Sequence, residues 1–152
     1  DIGQMAGVLG MLVTTSLLMG PTLLVMRRWA LPPGSLTLVW GANLTAMTVV
    51  NYHHTYTIYQ YLIMLGAIVV IDRLRMRLQP SIRNTGGWRV FALIAPVLYI
   101  GGYVVALLLT EGSNWSVPLL SGAVMLAGLG GWLLSYLLIP PRMPVESSHL
   151  LR

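Results

Sequence analysis

The chain has 152 residues, of which 56% are hydrophobic and 9% charged, with a mean hydropathy of +0.75; soluble domains carry roughly 25% charged residues. Its apolar residues arrive in blocks of about 16 to 25, the length of membrane spans, which excludes an ordinary soluble core. With no cysteine there is no disulfide, thiolate nucleophile or cysteine-ligated metal, and with nine arginines and no lysine there is no Schiff-base or phosphate-loop lysine.

The sequence predicts an all-α integral membrane protein, a bundle of about five transmembrane helices with short loops over residues 1–139, followed by a cytoplasmic tail at 140–152. No basic segment precedes the first apolar block, so no signal peptide is read there, and the chain is compatible with the C-terminal part of a longer protein. The first span covers about residues 2–26, bends at Gly20-Pro21 and closes on Arg27, Arg28 and Trp29, a headgroup-type boundary. Pro32-Pro33-Gly34 then turns the chain. The second and third spans cover about 35–52 and 56–71, both short for about 30 Å of hydrocarbon, and are joined by a hinge holding His53 and His54. The stretch from Asp72 to Arg89 reads as a polar surface connection, helical at most at its start, with Pro80 and Gly86-Gly87 as breakers. The fourth span, about 90–110, contains Pro96, and the fifth, about 117–139, starts with Pro118 in its first turn.

If five helices alternate direction, all nine arginines fall on one side of the membrane. Arg27 and Arg28 follow span one, Arg73, Arg75, Arg77, Arg83 and Arg89 follow span three, and Arg142 and Arg152 follow span five. The other side holds Asp1, His53, His54 and Glu111. By the positive-inside rule the arginine side is cytoplasmic and the histidine hinge faces outward, as in a bacterial inner membrane or a plasma membrane. The net charge of +5 and the pI near 10.1 follow from that partition and do not require nucleic acid as a partner.

The second and third spans are the most polar. At 100° per residue, Trp40, Asn43, Met47, Asn51 and His54 share a stripe, answered on the third span by Tyr56, Tyr59 and Gln60. Amides at membrane depth need protein or water partners, so His54, Asn51, Tyr56, Tyr59 and Gln60 outline a candidate outward cofactor site. His53 and His54 are its candidate metal ligands, able to bind copper or to give an axial bond to a haem or chlorin; a quinone is the further candidate. The simpler alternative is an interfacial belt of Tyr and His with asparagines bonded between helices.

Asp72 stands beside Arg73, Arg75 and Arg77. On a continuing helix its partner is Arg75 at i+3, and the expectation is a hydrated pair at the membrane surface. On the fifth span Ala123, Ala127, Gly131 and Ser135 recur every four residues, a small-residue ridge for close helix packing. Nothing resembles a nucleotide loop, a paired-carboxylate site, a GxSxG elbow or an HExxH helix. The function expected is a non-catalytic scaffold or accessory subunit that meets the lipid bilayer and other membrane subunits. The alternatives are a cofactor-binding subunit of an electron-transfer or oxidase complex and a small-solute transporter.

Overall fold

The computed structural model describes residues 2–50, 58–78, 85–110 and 116–139, all helical apart from short connections. Five α-helices follow one another: α1 (Ile2–Arg28), α2 (Ser35–Val50), α3 (Ile58–Leu78), α4 (Thr85–Thr110) and α5 (Val117–Leu138). A helix satisfies each backbone N–H and C=O within its own segment, which suits apolar runs this long. Three of the helices are long and apolar enough to cross a membrane: Met5–Arg28, Thr85–Leu109 and Val117–Leu138.

This revises the expectation of five spans. α2 has 16 residues, about 24 Å of helix, and α3 carries Asp72, Arg73, Arg75 and Arg77 in its last two turns, so neither qualifies on length and apolarity. The polar connection is also shorter than expected. α3 continues past Ile71 to Leu78 and α4 begins at Thr85, which places Gly86 and Gly87 inside α4. α1 runs without interruption through Gly20-Pro21.

α4 is the central helix, packed against α3, α5 and α1, while α1 also meets α5 and α2 meets α3. The fully buried Trp88, Phe91, Ala92, Ala95, Pro96 and Ile100 all lie along it. Trp40 of α2 reaches this core. Its ring meets that of Tyr99 edge to face at 5.4 Å, and its indole N–H donates to the Thr22 hydroxyl of α1 at 3.0 Å. Thr22 in turn donates to the Leu18 carbonyl, so the polar tip of a buried tryptophan is fully accounted for.

The α4–α5 contact depends on what Pro96 removes. Proline has no N–H, so the carbonyl of Ala92, four residues earlier, loses its donor within the helix. Gly131 of α5 lies against that same carbonyl and against the Pro96 ring. Without a side chain at 131 the two backbones can close on each other, and the Cα–H that a side chain would replace faces the freed oxygen. Gly128, one turn earlier, faces Val97 and Leu93 in the same way, and Gly102 of α4 lets Ala67 of α3 approach. Ala123, Ala127, Gly131 and Ser135 are all buried on this face of α5. Gly3 and Gly130, by contrast, face open space.

Gly131→Ala should therefore destabilise the folded bundle by about 1–3 kcal/mol, because its methyl would meet backbone that cannot move aside. Gly130→Ala should be neutral or slightly stabilising through helix propensity. Thermal unfolding of the two variants in detergent separates these outcomes; equal midpoints would contradict this account of the α4–α5 contact.

Candidate functional site

The charged groups of the described residues concentrate where α1, α3 and α5 end and where α2 and α4 begin. Pro32-Pro33-Gly34-Ser35 has the sequence and geometry of a type II turn, with proline second and Gly34 third at φ +87°. The Ser35 N–H donates to the Pro32 carbonyl at 3.2 Å, and the Ser35 hydroxyl donates to the same oxygen at 2.7 Å. The turn starts α2 close to the end of α1.

Arg75 of α3 holds this turn. Its Nε donates to Asp72 Oδ1 at 3.0 Å, and its two terminal nitrogens donate to the Leu31 and Pro32 carbonyls, each at 3.0 Å. Thr37 of α2 donates to the other Asp72 oxygen at 3.2 Å. Asp72 is 3% exposed and Arg75 7%. The partner is the i+3 arginine, as the spacing implies, but the expected hydrated surface pair is a buried one. The reason is the shape of the arginine fork: it matches a carboxylate and two adjacent loop carbonyls at once, so burial leaves little of the pair unsatisfied. A sequence signal for this exists. Gln60, Met64, Ile68 and Ile71 are the buried stripe of α3, and Asp72 and Arg75 continue it.

Two further arginines mark the same end. Arg27 donates to the Leu138 carbonyl at 3.0 Å, capping the end of α5 with a cation where the helix dipole favours one. The Arg89 guanidinium lies 4.1 Å from the centre of the Tyr136 ring. Arg89 is thus a helix residue of α4 and not part of a loop. Arg27, Arg28, Arg73, Arg75, Arg77 and Arg89 all belong to this one end of the bundle, which five helices of alternating direction require.

The expected outward site is only partly within view. Asn51, His53, His54 and Tyr56 lie outside the described residues. Tyr59 is 70% exposed, whereas Gln60 is 4% exposed and turned into the bundle, so these neighbours do not line one cavity. The stripe drawn on α2 also divides. The buried residues of α2 are Leu36, Trp40 and Leu44, at four-residue spacing, and Gly41, while Met47 is exposed. Asn43 is half-buried, and its amide nitrogen is enclosed with no hydrogen-bond partner among the described residues.

Among the described residues no three His, Cys, Asp or Glu side chains come together as metal ligands. A void of about 10 Å³ between α1, α4 and α5, lined by Thr15, Met19, Pro96 and Gly131, has room for one water. The chemistry available at the arginine end is cationic hydrogen-bond donation. Asp72, the one carboxylate among the described residues, is already bonded on both oxygens. No protein-family model, no curated protein and no solved structure matches the chain.

Removing the fork should be costly. Arg75→Met leaves Asp72 buried without its cation and the Leu31 carbonyl without its Arg75 donor, with Pro32 held by Ser35 alone, and should destabilise the fold by about 3–5 kcal/mol. Arg73→Met, at an exposed position on the same helix, should change stability by no more than about 0.5 kcal/mol. Denaturant titration followed by helical circular dichroism makes the comparison.

Proposed function

We propose that the chain is a non-catalytic, multi-pass membrane subunit, a scaffold or accessory component of a larger membrane assembly, with its arginine end in the cytoplasm. The observation that carries this reading is the way the polar groups are used. The bonded arginines, the one described carboxylate, and Thr22, Thr37 and Ser35 all tie helices or turns of the chain to each other. Six arginines at a single end support the orientation, since short cytoplasmic connections accumulate them. Outward-facing Leu9, Val13, Leu17, Leu24, Leu109, Met125, Leu133 and Leu137 are exposed on the three long apolar helices, as a lipid-facing or subunit-facing surface would be.

In this arrangement α2 and α3 stand within the bilayer despite their length and charge. α2 falls short of about 30 Å of hydrocarbon by only about one turn, and the charges of α3 are confined to the end that meets the headgroups.

Because the chain lacks cysteine, single cysteines report topology directly. An impermeant maleimide should label a cysteine at position 113 in intact cells and one at position 81 only after permeabilisation, and the protein extracted in mild detergent should run in a complex well above its own 16.6 kDa. Labelling at 81 but not 113 would overturn the orientation. A monomer in mild detergent would overturn the assembly role.

A further inference from the structure

The four charged residues of α3 divide by face. Asp72 and Arg75 turn into the bundle and neutralise each other. Arg73 and Arg77 are exposed, one turn apart, with no partner among the described residues. Like charges at i,i+4 repel, and the described residues offer no second carboxylate to offset them. The face on which they stand is otherwise apolar. It runs from Tyr59 through Leu62, Gly66, Val69 and Val70, all exposed, and changes abruptly to arginine. Gly66 leaves open space beside this face.

The lengths fit a bilayer. From Tyr59 to Arg73 is about 21 Å along the helix, and from Tyr59 to Arg77 about 27 Å, near the hydrocarbon thickness once arginine side chains extend toward the headgroups. α1 makes the same change at the same end: exposed Leu17 and Leu24 are followed by exposed Arg28 and Trp29. Two helices thus pass from apolar to cationic on their outer faces at one level.

We propose that Arg73 and Arg77 form a binding site for the phosphate of an anionic phospholipid, whose acyl chains lie along Leu62, Gly66, Val69 and Val70, with Arg28 and Trp29 in the same headgroup layer. The inference rests on the membrane reading above. Two guanidinium forks one turn apart supply parallel N–H donors to phosphate oxygens, and the bound phosphate removes the repulsion between the arginines. Charge complementarity selects an anionic headgroup. The adjoining apolar face selects a lipid over free phosphate or an acidic protein.

The test uses the full chain reconstituted in vesicles of equal phosphatidylglycerol and phosphatidylcholine, then extracted gently so that the co-purified lipid can be counted. Wild type should carry phosphatidylglycerol in preference to phosphatidylcholine. The Arg73→Gln/Arg77→Gln double variant should bind it roughly thirty-fold more weakly, from about 1 kcal/mol per arginine near an anionic surface. Arg73→Lys/Arg77→Lys, which keeps the charge, should retain most of the preference, and circular dichroism should show both variants as helical as wild type. Equal phosphatidylglycerol retention by wild type and the Gln variant overturns the proposal, as does displacement of the lipid by millimolar inorganic phosphate. So does loss of an associated acidic protein, in place of lipid, in the Gln variant. Alkaline carbonate washing separates the two claims: release from the vesicles contradicts the membrane reading itself, whereas retention without lipid preference contradicts this site alone.

Discussion

Arg75 commits three of its five N–H donors inside the fold, one to Asp72 and one each to the carbonyls of Leu31 and Pro32. Through them it joins the end of α3 to the turn between α1 and α2, and Thr37 joins the start of α2 to the same carboxylate. In a low-dielectric setting such a network is favourable only when every member is bonded, because a lone buried charge costs several kcal/mol. Arg27 on Leu138 and Arg89 on Tyr136 bring the ends of α5 and α4 to the same place. The bundle is therefore fixed by polar bonds at one end.

Along its length the packing is of another kind. If lipid surrounds the helices, burial of apolar surface between them gains little, and close contact must come from shape. Proline and glycine supply that shape together. Pro96 frees the carbonyl of Ala92, Gly131 brings the α5 backbone onto it, and Gly128 and Gly102 continue the close approach to Val97 and Ala67. Trp40, edge to face with Tyr99 and bonded to Thr22, links α2 to both α4 and α1.

The helical class, the turn at Pro33-Gly34 and the gathering of arginines are legible in the sequence because each follows from local spacing or composition. The four-residue spacing on α5 is visible there too, but the surface that meets Gly131 is not, since it depends on a proline 35 positions earlier in the chain. Apolar run length alone did not separate the three helices that are long and apolar enough to span from α2, which is short, and α3, whose last two turns are charged. The burial of Asp72 and Arg75 escaped a reading that treated charge as a sign of solvent. What distinguishes them from Arg73 and Arg77 is the helix face, and that face is set by Gln60, Met64, Ile68 and Ile71. The stripe drawn through Trp40, Asn43 and Met47 was likewise one helix row away from the row that is buried, Leu36, Trp40 and Leu44.

The claim that Arg75 holds the α1–α2 turn against α3 is tested most directly by the distance between them. Spin labels on cysteines placed at Ala30 and Arg77, both exposed, report that distance by pulsed electron resonance in reconstituted membranes. A narrow distribution is predicted for the otherwise unaltered chain and for Arg73→Gln, and a broad or longer one for Arg75→Gln. A distribution that stays narrow when Arg75 is replaced would contradict the account.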